Sequence, residues 1–322
     1  MSHLRFPPLE EVAEPIIAPI EEGPPDIING FLPSRGELLI AGETNIGKSL
    51  LALEICSSYI TGYPLWGELK PTKQARKILY VLGEHYIDVI KRLWQVTKLP
   101  LTDKVLIIGP DKLGFDKWLV NKGNINQNAC DKLAYWAEGC DLIVWDPLAA
   151  FITGGDGTEN DNLQMRVLID AMNGVSYKVG ATSLIVAHIG KPMMDKFGTE
   201  HSRKSYAIRG ASGIEDAATN IFYFVKGAGG DPQKEGQDKL LTLKCRKYKG
   251  LAPEEYRLMR NPHTLTHTLL GNRPFTEVRK IDTQAKLGRL QLALPEAKMA
   301  DLITIVAASE NISESTVRRY LD

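Results

Sequence analysis

The sequence has few of the residues that cross-link a chain or bind zinc. Four cysteines occur in 322 residues, and none forms a C-x-x-C pair or lies at ligand spacing from a histidine. We therefore predict reduced core thiols, without a disulfide or a zinc site. These thiols belong to Cys56, Cys130, Cys140 and Cys245.

Long apolar runs and an excess of charge are missing as well. No apolar run approaches the roughly 18 residues that a membrane-spanning helix needs, and no signal-peptide pattern is present. Both absences predict a cytoplasmic protein without a membrane partner. Basic and acidic residues balance at 39 each, so nucleic acid could bind only through local clusters of charge.

The first 28 residues differ in composition from the rest of the chain. They are acidic apart from Arg5 and have prolines at positions 7, 8, 15, 19, 24 and 25. This composition is typical of an extended arm that does not form a core. We expect the folded domain to begin at residue 29.

From residue 36, apolar runs alternate with helix-length segments, which predicts an α/β fold whose mostly parallel sheet is covered on both faces. The predicted parallel strands are "GELLIAGE", "KILYVLGE", "KVLIIG", "DLIVWD", "SLIVAH", "IFYFVK" and "KLLTLKCR". Two later runs, "EEYRLMR" and "LTHTLLG", predict an antiparallel hairpin that closes the domain at about residue 270. A linker over 271–280 and a helical tail over 281–322 complete the expected organisation.

One glycine-rich segment points to a nucleotide. "GETNIGKS" fits G-x-x-x-x-G-K-[ST], follows a predicted strand and precedes a predicted helix. Backbone N–H groups at such a helix N-terminus favour an anion, Lys48 would neutralise the β- and γ-phosphates of ATP, and Ser49 would bind Mg²⁺. The predicted nucleotide-binding residues are Gly42, Glu43, Thr44, Asn45, Ile46, Gly47, Lys48, Ser49 and Leu50.

Two predicted strands end in an acidic residue, which suits the chemistry of ATP hydrolysis. Asp146 ends "DLIVWD", where a carboxylate can hold Mg²⁺ through its waters, or alternatively cap the turn before Pro147. Glu84 follows "ILYVLG", where it can act as general base on the attacking water, or simply be a solvated strand-end residue.

His188 ends a further strand and precedes a long polar loop. A polar residue at that tip could sense the γ-phosphate, although a lone histidine can equally be structural. The loop is rich in cations that could contact the phosphates of single-stranded DNA, and its alternative interpretation is a plain surface loop. The predicted DNA-binding residues are Lys191, Lys196, Arg203 and Lys204.

A late strand, "LLTLKCRKYKG", carries Lys244 and Arg246. In a simple parallel-sheet ATPase such cations do not belong to the phosphate site of their own subunit, so they could serve a neighbour's. Besides Lys48, we expect no cation from the chain's own strand tips at the phosphate site.

Together these motifs resemble the RecA-like AAA_25 family, and within it the replicative ring helicases of broad-host-range plasmids. The resemblance spans roughly residues 28 to 265. It rests on "GETNIGKS", "TGYPLWG", "ILYVLGEHYIDVIKRL", "DPLAAFITGGDGTENDN", "SLIVAHIGK" and "RGASGIEDAATNIFYF". The family implies rings, usually hexamers, with ATP at the subunit interfaces and single-stranded DNA in the channel.

The same resemblance implies roles for individual residues. Glu84 matches the catalytic glutamate, Asp146 the second acidic motif and His188 the phosphate sensor. Arg209 matches the arginine finger, and Lys244 with Arg246 matches a K-x-R pair inserted into the adjoining subunit's site. The chain departs from the pattern at Ile46, where a small residue is commoner. It also carries both sets of trans cations, which leaves open which of them is the finger.

The last segment, "MADLITIVAASENISESTVRRYLD", predicts two helices joined by a short turn, with Ser313 as N-cap of the second. It resembles a helix-turn-helix, and its alternative interpretation is a helical oligomerisation or docking tail. The expected small core consists of Leu302, Ile305, Val306, Val317 and Leu321.

These features favour a DNA-dependent ATPase that translocates on single-stranded DNA, with ATP and Mg²⁺ as cofactors and a primase or initiator as a further partner to test for. Two other classes stay open on the same core. One is a strand-exchange or clock-type signalling ATPase. The other is a DNA-binding regulator whose assembly ATP controls.

Overall fold

A computed structural model describes residues 26–84, 87–113, 118–153, 162–189, 211–226, 239–248, 255–271 and 297–310, with single positions or pairs at 193–194, 200–201, 287, 290–291, 294, 314 and 317–318. In chain order the strands are β1 (Glu37–Gly42), β2 (Ile78–Leu82), β3 (Val105–Ile108), β4 (Val120–Asn121), β5 (Asn124–Ile125), β6 (Leu142–Asp146), β7 (Ile152–Thr153), β8 (Thr182–His188), β9 (Met193–Met194), β10 (Glu200–His201), β11 (Ile221–Lys226), β12 (Lys239–Lys247), β13 (Glu255–Arg260) and β14 (His267–Gly271). The helices are α1 (Lys48–Thr61), α2 (Ile87–Thr97), α3 (Pro110–Leu113), α4 (Gln127–Trp136), α5 (Asn162–Val179), α6 (Ala211–Ala217) and α7 (Met299–Glu310), with a 3-10 turn at Leu148–Phe151.

The main sheet confirms the predicted α/β fold. Nine of the described strands form it in the order β14-β13-β12-β11-β1-β8-β6-β2-β3. The pairings from β11 to β3 are all parallel, and those from β11 to β14 are antiparallel. The predicted hairpin of β13 and β14 is therefore present at one end of a mostly parallel sheet.

The prediction that β12 belongs to the parallel set is wrong. β12 pairs antiparallel with both β11 and β13. An apolar run has the same composition whichever way the strand runs, so the run "KLLTLKCR" could not reveal its direction. The reversal sends the cations at the end of β12 to the opposite edge of the sheet.

The sheet is covered on both faces, as its apolar strands require. Along β1 the side chains alternate, so that Leu38 and Ile40 join one core cluster while Leu39 and Ala41 join the other. Helix α1 packs on the first side and is buried on almost all its faces. Helices α4 and α5 cover the second side. Ile27 and Ile28, from the end of the acidic segment, are also buried in the core beside α1.

Buried polar contacts tie α1 to β14. Glu54 of α1 accepts hydrogen bonds from the indole Nε1 of Trp66 at 3.1 Å and from the backbone N–H of His267 at 2.6 Å. The His267 ring also lies 2.8 Å from the same carboxylate. Because all three groups are buried, these contacts fix the terminal hairpin against the helix that follows the glycine loop.

The C-terminal segment has a small core of its own, made of Leu287, Leu302, Ile303, Val306, Ala307 and Val317. Leu302, Val306 and Val317 are buried as predicted, whereas Ile305 is 45% exposed, so its assignment to the core is wrong. Leu321 lies outside the described residues. Among the helices that the structure describes, none is long and apolar enough to span a bilayer.

Candidate nucleoside triphosphate site

The predicted catalytic residues meet at one edge of the sheet. The strands β1, β8, β6 and β2 are neighbours and run in the same direction, so their carboxyl ends lie side by side. Gly42 is in register with His188, and Leu82 is in register with Asp146. The glycine loop, the histidine, the aspartate and Glu84 therefore share the edge at which α/β proteins bind their ligands.

The loop between β1 and α1 has the geometry of a phosphate cradle. Gly47 is the N-cap of α1 with φ of 109°, a conformation that L side chains rarely adopt. A Cβ atom at Gly47 would lie 2.9 Å from Nη1 of Arg260, so a side chain here would also displace that guanidinium. The segment from Glu43 to Asn45 is exposed and could contact a ligand, whereas Ile46 is buried in the core. Ile46 thus serves packing, which accounts for an apolar residue at this position.

Lys48 points back into its own loop. Its Nζ atom donates to the backbone oxygens of Gly42 at 3.0 Å and Glu43 at 2.7 Å, and lies 3.1 Å from Nδ1 of His188. Burial lowers the pKa of Lys48 to about 8, although the carboxylates of Asp146 and Glu43 act in the opposite direction. The ammonium group under the loop thus contacts two neutral oxygens and a ring nitrogen, and a polyphosphate would offer it charged oxygens instead.

Asp146 is held by a residue that sequence reasoning missed. The hydroxyl of Tyr80 donates to Oδ2 of Asp146 at 2.7 Å, and the nearby Ser49 acts on the pKa of this phenol in the lowering direction. Tyr80 and Asp146 are 1% and 3% exposed. Burial, together with the charge of Asp146, raises the pKa of Tyr80 well above its ordinary value, so the phenol stays a donor. A signal for Tyr80 was present in the sequence, because it is the single polar side chain of β2.

Glu84 lies just beyond the end of β2 and is exposed. The preceding Gly83 donates its backbone N–H to the carbonyl of Asp146 at 2.9 Å. A Cβ atom at Gly83 would collide with Ala150, so the backbone passes close to the segment that follows β6. This close approach holds the first residue after the strand in place and leaves the Glu84 carboxylate open to water.

Two further cations of the chain lie at this edge of the sheet. The expectation that the strand ends would supply no cation there besides Lys48 is therefore wrong. Lys226, at the end of β11, lies 3.3 Å from the carboxylate of Glu43, and both side chains are more than half exposed. Arg260, at the end of β13, donates from Nη1 to the backbone oxygen of Ile46 at 3.1 Å. β13 runs antiparallel to β12, which runs antiparallel to β11, so β13 ends at the same edge as β1.

The cations at the carboxyl end of β12 lie at the other edge. Lys247 is in register with Ile221, the first residue of β11, so the carboxyl end of β12 is remote from the glycine loop. Arg246 pairs with Glu215 of α6 at 3.2 Å, and Tyr223 donates to the same carboxylate at 2.7 Å. The side chain of Lys244 is exposed. Neither cation of the K-x-R pair therefore belongs to the phosphate site of its own chain.

Several predicted residues lie outside the described part of the chain: Arg209, Lys191, Lys196, Arg203 and Lys204. What is described of the loop after His188 is a two-stranded antiparallel ribbon, in which β9 pairs with β10. The helix after Arg209 is described from Ala211, and a Cβ atom at Gly213 would collide with the backbone of Asn162. Glycine in "RGASG" thus permits α6 to pack closely on α5.

The residues present fit a nucleoside triphosphate with Mg²⁺. A 14-residue helix begins at a glycine loop, and the buried Lys48 lies inside that loop. Tyr80 holds Asp146, which with Ser49 would bind the metal. The lysine and the helix N-terminus would bind phosphates, and the neighbouring hydroxyl and carboxylate would bind a divalent cation. This combination of groups is typical of P-loop nucleoside triphosphatases.

A comparison with protein families identifies the family of P-loop proteins to which the chain belongs. The model of the AAA_25 family, described as an AAA domain, matches residues 3–194. The match covers more than half of the chain, and the chain belongs to this RecA-like family of P-loop ATPases. It ends within the ribbon after His188, so Arg260 and the terminal hairpin lie beyond it. No curated protein matches the chain.

Proposed function

We propose that this protein is an ATP-driven translocase or helicase that acts on single-stranded DNA as a ring, in the replication of a plasmid, phage or mobile element. The observation that carries this proposal is the contact between Lys48 and His188. It links the lysine that would hold the phosphates to the strand that leads into the basic loop. The sequence resemblance to the RepA replicative helicase of broad-host-range plasmids supports the same function.

Different residues of the chain would carry out different steps of ATP hydrolysis. Lys48 would exchange the carbonyl oxygens of its loop for phosphate oxygens, and this movement would break its contact with His188. Glu84, open to water at the end of β2, would take the proton of the attacking water. Ser49 and Asp146 would hold Mg²⁺, which when bound neutralises charge on the phosphates.

The contact between Lys48 and His188 provides a physical connection from nucleotide to DNA. His188 Nδ1 can approach a lysine ammonium at 3.1 Å only as an acceptor, so its lone pair faces Lys48. When the lysine leaves, the imidazole loses that partner. The loop between β8 and α6 begins immediately after it and would change with it.

The test is DNA binding by the loop. Replacing Lys196, Arg203 and Lys204 by alanine should weaken binding to single-stranded DNA and reduce its salt dependence by about 0.7 log units per lost phosphate contact. DNA-stimulated ATP hydrolysis should fall with it. An unchanged salt slope would assign the loop to another role.

The matched control removes the same amount of charge elsewhere on the surface. Lys73, Lys104 and Lys122 are exposed lysines of other loops, and their replacement by alanine should leave the salt slope as it is. Negatively stained images with an ATP analogue and single-stranded DNA separate the remaining classes. Closed rings support the proposal, and helical filaments favour the strand-exchange class.

A second function follows from the small C-terminal core. Val317 packs with α7 in a hydrophobic cluster that is separate from the core of the ATPase domain. A helix-turn-helix needs such a core between its helices, so the alternative function is an ATP-regulated protein that binds duplex DNA. Competition between duplex and single-stranded DNA decides between them. Preference for the duplex without stimulation of hydrolysis by single strands would favour the regulator.

A further inference from the structure

The hydroxyl of Tyr80 lies beside both residues that would bind the metal. It donates to Oδ2 of Asp146 at 2.7 Å, and the Ser49 side chain is near enough to act on the pKa of the phenol, in the lowering direction. The tyrosine is fully enclosed in the core between the sheet and α1. A buried polar group is normally explained by its hydrogen-bond partner, and here that partner is a carboxylate that would bind the ion.

Donor and acceptor capacities fix the direction of the bond to Asp146. A carboxylate only accepts, so the phenol hydrogen goes to Asp146. The phenol has no second hydrogen, so Ser49 can approach it only as a donor. The second oxygen of Asp146 is then available to a cation, and the rotation of this carboxylate is restricted.

We propose that Tyr80 is a positioning residue for the divalent cation of the nucleotide site. It sets the orientation of Asp146 before the ion arrives, so that binding does not have to order that carboxylate. Groups that orient metal ligands in this way typically contribute about 10- to 100-fold to metal affinity. The inference rests on the nucleotide site of the proposed ATPase and is independent of DNA.

A second buried tyrosine supplies the matched control. Tyr59 of α1 lies in the same core cluster and is as enclosed as Tyr80, but its hydroxyl has no hydrogen-bond partner among the described residues. Tyr59→Phe and Tyr80→Phe therefore remove the same atom from the same core. They differ in whether that atom contacts a metal ligand.

The experiment measures metal binding without hydrolysis. Full-length protein is saturated with ADP, Mn²⁺ is titrated, and bound Mn²⁺ is followed by electron paramagnetic resonance. Tyr80→Phe should raise the Mn²⁺ concentration at half-saturation by about 10- to 100-fold, whereas Tyr59→Phe should leave it unchanged. ADP affinity in EDTA should be the same for all three proteins, because no metal is present for Tyr80 to affect.

Two results would overturn the proposal. One is wild-type Mn²⁺ affinity in Tyr80→Phe, and the other is an equal loss of ADP affinity in EDTA, which would indicate general damage to the site. If Tyr80→Phe does not fold, Tyr80→Met replaces it, since the flexible apolar side chain suits a core, has no hydrogen to donate to Asp146 and must show the same selective loss of Mn²⁺ affinity. Because neither DNA nor turnover enters the measurement, its failure is distinct from failure of the translocase proposal.

Discussion

Lys48 shows how one residue prepares a site for its ligand. Its ammonium group has three hydrogens, and Gly42, Glu43 and His188 each supply one acceptor for them. None of these acceptors carries a full negative charge. The effect of burial therefore dominates, and it lowers the pKa of Lys48 to about 8. The sequence predicted that Lys48 faces phosphate, but its partners in the absence of phosphate depend on a fold that brings β8 beside β1.

This pKa predicts a pH dependence of nucleotide binding. Phosphates raise the pKa of a bound lysine, so the complex carries more protons than the free protein above pH 8 and binding takes up a proton. ADP affinity should therefore be level just below pH 8 and fall by about one log unit per pH unit above it. Isothermal titration calorimetry from pH 7.5 to 9.5, in buffers of different ionisation enthalpy, measures both the affinity and the proton uptake.

Lys48→Arg is the control for this linkage. A guanidinium stays charged throughout this range, so whatever affinity the variant retains should not fall between pH 8 and 9.5. A wild-type affinity that stays level above pH 8, or a variant that loses affinity as steeply, would show that Lys48 is not the titrating group.

At the scale of elements, strand direction decides which residues meet. Parallel strands that end in polar residues were sufficient to predict that Asp146, Glu84 and His188 lie at one edge. Each crossover connection returns the chain to the edge where the strands begin, so all of them end at the opposite edge. The reversal of β12 could not be predicted, since an apolar run carries no direction. That one reversal returns β13 to the edge of the glycine loop, which is why Arg260 was missed.

Arg260 should set the conformation of the glycine loop. The C=O and N–H of a trans peptide point in opposite directions, so an arginine that holds the Ile46 oxygen turns the Gly47 N–H away from itself. Arg260→Gln should therefore weaken ADP binding by about tenfold, the effect expected for a hydrogen bond from a charged group. Equilibrium titration with a fluorescent ADP analogue measures the change.

The control is the other new cation at this edge. Lys226 pairs with Glu43 where both side chains are well exposed, and such pairs contribute about 0–1 kcal/mol. Lys226→Gln should therefore bind ADP nearly as well as the wild type. Equal losses in both variants would indicate a general effect of charge at the edge and would remove the specific role of Arg260.

At the scale of the whole molecule, the cations are divided between two edges of the sheet. Lys48, Lys226 and Arg260 lie with the glycine loop, whereas Arg246 lies at the opposite edge and pairs with Glu215. A cation so placed cannot reach the phosphates of its own chain. It could reach those of a neighbour if subunits pack with the loop edge of one against the β12 end of the next.

A mixing experiment tests this arrangement. Glu84→Gln should bind ATP but hydrolyse it about 10²- to 10⁴-fold more slowly, because it lacks the general base. Arg209→Ala and Arg246→Ala should each bind ATP normally and hydrolyse it slowly, because a trans cation that stabilises the transition state contributes about 10³- to 10⁵-fold. Mixing either arginine variant with Glu84→Gln should restore activity, since some interfaces then combine an intact glutamate with an intact arginine.

The pair with Glu215 gives this test its control. The ion pair is largely exposed and Tyr223 still donates to Glu215 after Arg246 is removed, so Arg246→Ala should lose little stability, about 0–1 kcal/mol. Glu215→Gln breaks the same pair but keeps the arginine, and it should hydrolyse ATP like the wild type if Arg246 acts in trans. Loss of activity in Glu215→Gln, or mixtures that stay inactive although subunit exchange is confirmed by labelled protein, would place the role of Arg246 within its own subunit.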